Sequence, residues 1–254
     1  MTNIRVRNCW LFGLGFLGVL SILPIIPELI NYSQKHTPLP MSVIVLISAA
    51  QSALFLFCMV WLGSAFSSRV GLEAPLISSF SKSETILKKL RSIFVPSVLW
   101  GLVGGLFLVT FSWFSLPLLP NEFVEVGSKF APPWYAKVLY GGITEEILIR
   151  WGLMSFLVWG SFRATQSGSG AIGKHNYIIG IVVASLIFGA GHLPALFALT
   201  SSSSPLLISY IIIGNAGFGL IAGFLFWKRG LESAILSHIT AHITMIVCTA
   251  LLFA

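Results

Sequence analysis

The sequence predicts an all-α polytopic membrane protein: a transmembrane helical bundle of about seven spans with its N-terminus in the cytoplasm. Three observations predict it. Hydrophobic residues make up 56% of the 254 positions and charged residues only 9%, with a mean hydropathy of +0.92. An ordinary soluble domain is about 25% charged. Apolar runs of the length needed to cross about 30 Å of hydrocarbon recur at roughly 9–30, 41–66, 93–118, 134–160, 177–200, 205–227 and 231–253. The basic residues also segregate. With the N-terminus inside, eleven Lys and Arg fall in cytoplasmic segments and three (Lys35, Lys129, Lys137) on the opposite side, leaving Arg150 within a span. That bias is the positive-inside signal, and it accounts for the net charge of +7 without nucleic acid as a partner.

Each element follows from local pattern. The first run has a basic start at Arg5 and Arg7 but no small-x-small cleavage site after it, so it is a retained span and not a signal peptide. Pro24 and Pro27 are placed to kink or end it. Between the second and third spans, Ser81 and Glu84 have capping-box spacing. Ile86, Leu87, Leu90, Ile93 and Phe94 then share one helical face, with Lys88, Lys89 and Arg91 away from it. This pattern predicts a short interfacial helix over 81–94. Residues 163–176 read as a flexible linker. The fifth and sixth spans are separated only by the serine run 201–204 and Pro205, which fits a tight hairpin or a partly re-entrant segment. Cys9, Cys58 and Cys248 are scattered through apolar runs and suggest neither a disulfide framework nor a zinc site. The chain divides into N-terminal helices with their cytoplasmic amphipathic loop (1–133) and a C-terminal core (134–254).

Polar residues inside spans are the functional signal, because each costs at least about 2.5–3.5 kcal/mol at a helix centre. The fourth span carries Glu145, Glu146 and Arg150, the fifth His192, and the seventh His238 and His242, with Glu232 nearer its edge. The first three spans carry only Glu28, near an end. Glu146 and Arg150 are four apart and can pair on one face. Glu145 is rotated from Glu146 by about 100° and has no local cation, which makes it a candidate general acid or base. His238 and His242 share a face; such a pair can donate to a developing oxyanion or bind a metal. The plainer alternative is a structural salt-bridge node with satisfied core histidines. A rise of about 1.5 Å per residue places all these groups within the membrane.

GITEEILIRWG at 142–152 contains Glu-Glu-x-x-x-Arg, FGAGH at 188–192 is Phe-x-x-x-His, and AILSHITAH at 234–242 is an apolar-His-x-x-x-His element. In this order, each on its own hydrophobic span, they resemble the CAAX-protease and bacteriocin-processing (Abi) family of intramembrane endopeptidases over roughly 134–246. The resemblance implies that Glu145 activates a water, that His192 helps orient it, and that His238 and His242 stabilise the oxyanion. Glu146 and Arg150 would hold the fourth helix in place. No cofactor is implied. Two positions depart from the family's usual pattern: Trp151 follows the motif arginine where Gly is common, and His242 stands where Asn is common.

Other intramembrane proteases are excluded by inspection. The chain has no aspartate, no Gly-x-Ser-Gly and no His-Glu-x-x-His. A zinc variant, with His192, His238, His242 and Glu145 as ligands, is the alternative within the protease class, and a non-catalytic immunity or scaffold protein the alternative outside it. The expected partners are membrane lipid and a membrane-associated or lipidated peptide substrate. The expected location is a prokaryotic plasma membrane.

Overall fold

The computed structural model describes residues 4–32, 38–79, 83–166, 170–201 and 203–252. Among these the secondary structure is helical, with no strand. Five helical stretches are long and apolar enough to cross a membrane: Met41–Val70, Leu87–Leu118, Lys174–Leu199, Pro205–Arg229 and Leu231–Leu252. α1 (Ile4–Ile22) and α2 (Ile25–Tyr32) make a sixth when taken as one span, bent by 41°. The bend falls at the two prolines: Pro24 lies in the break and Pro27 in the first turn of α2, where a missing N–H costs least.

The remaining expected span, the fourth, is a helical rod over 134–166. It starts as α6 (Trp134–Ala136), widens into a π-helix at Lys137–Thr144, and widens again at Ile147–Met154 before closing as α7 (Ser155–Gln166). Glu145 and Glu146 are the two residues between the π segments. π turns inside α-helices recur at functional sites.

The rod is the centre of the fold. α1 and α11 (Leu231–Leu252) flank its first π segment. α3 (Met41–Phe66), α8 (Lys174–Ala190), α10 (Pro205–Arg229) and α11 meet its second. Small residues let these helices approach. Leu11, Gly15 and Gly18 form the buried stripe of α1, and a Cβ at Gly18 would meet the Thr144 hydroxyl. That hydroxyl donates to the Gly15 carbonyl at 2.7 Å. Leu56, Val60 and Gly63 are the buried stripe of α3. The rest of α3 faces outward, with Leu46, Leu54, Phe57 and Trp61 exposed, as a lipid-facing helix requires. On α4 (Ser83–Ser115), Gly101 and Gly105 press against α11 at Thr240 and Thr244.

Residues 81–94 are not a separate interfacial helix. From Ser83 onward they are the start of α4, which runs 33 residues without a break even at Pro96. Of the expected apolar face, Ile93 is buried, while Leu87, Leu90 and Phe94 are exposed. In a membrane, outward-facing apolar residues need no partner helix, so periodicity there does not mark a boundary. The expected Ser81 cap lies outside the described residues. At the other end of α4, 3-10 turns and α5 (Asn121–Lys129) lead to the rod.

α10 and α11 are joined by Gly230 alone, at φ 96°, a conformation side chains rarely adopt. The loop before α4 is stapled against this joint. Leu231 N–H donates to the Glu73 carbonyl at 3.0 Å, and Ile77 N–H donates to the Glu232 carboxylate at 2.8 Å.

Candidate active site

The two adjacent glutamates of the rod face opposite environments. Glu146 is fully buried. Its Oε1 lies 3.2 Å from Nη1 of Arg150, itself buried, and accepts from Nδ1 of His238 at 2.7 Å. Arg150 is held further by a bond from Nη2 to the Gly219 carbonyl at 3.2 Å and by the Phe188 ring, 4.8 Å from its guanidinium carbon. The i, i+4 pair expected from spacing therefore forms. It also gains His238 from α11, which sequence spacing groups with His242 alone.

Glu145 faces a cavity of about 470 Å³. The same cavity is lined by His192, His238 and His242, so the four residues expected to carry the chemistry meet in one space. Its remaining wall is mostly apolar and includes Ile22 of α1, Ile25, Ile26 and Leu29 of α2, and Tyr140 and Gly141 of the rod. Pockets of this size, apolar with a few convergent polar groups, are the usual form of a small-ligand or catalytic site. The side chain of Glu145 is 18% exposed and that of His192 35%, against 0% for Glu146.

His192 occupies the two-residue turn between α8 and α9 (Leu193–Leu199), where the backbone stays in the right-handed helical region. Its Nδ1 lies 2.9 Å from the Phe188 carbonyl. A carbonyl only accepts, so Nδ1 is the protonated nitrogen. In the neutral ring Nε2 then carries the lone pair, and it faces Glu145 Oε1 at 3.9 Å. That separation is too long for a direct hydrogen bond and fits one bridging water.

His238 and His242 stack with 4.7 Å between centroids and 15° between planes, as two imidazoles on one helical face should. With Nδ1 committed to Glu146, only Nε2 of His238 is free for the cavity. Nε2 of His242 is buried without a partner among the described residues, and Gly141 lies against it. Among the described residues, no group of three or more His, Cys, Asp or Glu side chains is arranged to hold a metal ion.

Residues 127–244 match the family model described as type II CAAX prenyl endopeptidase Rce1-like. This segment, just under half of the chain, is similar to the CAAX-protease family. The match starts within α5, contains all three motifs, and ends two residues after His242. No curated protein and no solved structure matches the chain. The long apolar helices make the chain an integral membrane protein, and its matched segment is similar to a membrane-protease family.

Trp151, one of the two departures from the usual family pattern, has a structural cause. It is fully buried, packs against Gly63, donates from Nε1 to the Val60 carbonyl at 3.3 Å and lies under the Arg7 guanidinium at 4.8 Å. The N-terminal helices, α1 and α3, supply its pocket. Three polar wall residues, Lys137, Tyr140 and Asn215, are absent from the sequence-based set; the basic-residue pattern assigns Lys137 to an outer segment. The sequence does carry a signal for Asn215, an amide inside an apolar span. Being uncharged, it is not found by a criterion restricted to ionisable groups.

Proposed function

We propose that the protein is a glutamate-dependent intramembrane endopeptidase that hydrolyses a peptide bond in or beside the membrane. The observation that carries this reading is the pairing of Glu145 with His192 across a water-sized gap, on the wall of an apolar cavity also lined by His238 and His242. A water held between Glu145 and His192 Nε2 gives a proton to Glu145 as its oxygen attacks the carbonyl carbon. The developing oxyanion is met by imidazole N–H groups of His238 and His242. To donate from Nε2, His238 must carry protons on both nitrogens, with its Nδ1–H held by the Glu146 carboxylate that it shares with Arg150. The proton on Glu145 then passes to the leaving amine, which restores the carboxylate.

The substrates this reading supports are membrane-embedded or lipidated peptides, because the cavity wall is apolar and the site lies among spans. The membrane is proposed to be a prokaryotic plasma membrane. The test uses the purified chain in detergent and a fluorescence-quenched peptide, with its cysteine either farnesylated or unmodified. Cleavage is expected from wild type, lost in Glu145→Gln, and unaffected by a chelator. Cleavage that a chelator abolishes and zinc restores would replace this mechanism with a metal-dependent one.

A further inference from the structure

We infer that Asn215 is a substrate-binding residue that grips the backbone of the bound peptide next to the scissile bond; this rests on the protease reading above. Two smaller cavities share wall residues with the catalytic one. The first, of about 190 Å³, lies under α5 and α9 and is walled by Phe123, Val126, Leu196 and Leu199. The second, of about 210 Å³, lies between α4 and α10 and is walled by Leu108, Phe111 and Tyr210. Each has the volume of about six or seven waters, room for one large apolar side chain. Asn215 is the one residue that lines all three spaces. It therefore stands where a peptide passing through the catalytic cavity would send side chains to either smaller cavity.

Its chemistry suits that place. Nδ2 lies 2.9 Å from the Ile211 carbonyl, which fixes the amide orientation because the carbonyl must accept. One N–H and Oδ1 are left over, and no bond from either to a described residue is present. A peptide unit offers one donor and one acceptor, the complement of that remainder. The neighbouring polar groups are already engaged: His192 Nδ1 with Phe188, His238 Nδ1 with Glu146, and Glu145 facing His192 Nε2. In the mechanism above, what those groups have left serves the water and the oxyanion and not the backbone beside the reacting bond. Around it α10 presents glycine and apolar side chains, and the half-exposed amide has its remaining donor and acceptor available to a ligand.

The experiment measures cleavage of the quenched farnesylated peptide by wild type, Asn215→Leu and Asn215→Asp, after detergent melting curves confirm that each folds. Asn215→Leu keeps the shape and removes both polar groups. It is expected to raise KM about 10- to 100-fold with kcat little changed, the pattern of lost uniform binding. Asn215→Asp, which keeps an acceptor and loses the donor, is expected to fall between. A second series replaces single backbone amides of the peptide by esters. At one position next to the scissile bond, the ester and Asn215→Leu should each weaken binding, and their combination should cost no more than either alone. A purely structural asparagine would give additive losses at every position, and that result, or an unchanged KM, overturns the inference while leaving the protease reading intact. Absence of cleavage of both peptides by wild type overturns the two together.

Discussion

The two sides of one helical rod differ in what they do with a carboxylate. On the core side, Glu146 is sealed from solvent, paired with Arg150 and bonded to His238. On the cavity side, Glu145 is partly exposed and meets only His192, at 3.9 Å. Two identical residues, one apart, thus take a structural and a chemical role. The difference lies in the partners that other helices bring: α10 and α11 close over one, and the α8–α9 break leaves space beside the other.

The largest effect expected from breaking this comparison is at Glu145. Glu145→Gln keeps size and polarity but cannot take a proton, so peptide cleavage should drop by about 10²–10⁴-fold with an unchanged melting temperature in detergent. Glu146→Ala should do the reverse first. It leaves the Arg150 charge buried and unpaired, a loss of about 3–5 kcal/mol that a melting curve reads directly. Replacing both partners, as in Glu146→Leu with Arg150→Met, should recover most of that stability. It should not recover activity, because His238 has lost the carboxylate that orients it. A double variant with full activity would show that the core side has no part in the chemistry.

A smaller effect is expected at Gly141. A methyl there would meet Nε2 of His242, so Gly141→Ala should displace that imidazole and lower kcat about tenfold or more, within the range for loss of one oxyanion donor, with a modest change in stability. The smallest effect is expected on the outward face of α3. Phe57 is 58% exposed, and Phe57→Leu should leave both melting and cleavage unchanged within error.

Much of this contrast is legible in the sequence. The i, i+4 spacing of Glu146 and Arg150 predicts their ion pair, and that of His238 and His242 their common face. The cost of polar groups in a membrane singles out the carboxylate and the three histidines that the cavity unites, but not the uncharged Tyr140 and Asn215, nor Lys137, which the basic-residue pattern assigns to an outer segment. The pairing of His238 with Glu146 is not legible, because it joins residues 92 positions apart and spacing carries information only within one helix. The π segments around Glu145 are equally hidden, since nothing in residues 137–154 contradicts an ordinary α-helix. The amphipathic pattern over 81–94 misleads for a physical reason. In a soluble protein an apolar face needs a partner, but beside lipid it does not, and the same residues simply begin α4.

The central claim is that Glu145 makes this chain a protease. The most direct measurement compares the termini of membrane proteins, by mass spectrometry, in cells expressing the wild-type chain or Glu145→Ala at matched levels. New termini are expected with wild type and not with the variant, and those termini name the substrate. Identical terminal profiles from two folded, inserted proteins would contradict the claim and favour a non-catalytic membrane protein that keeps the fold.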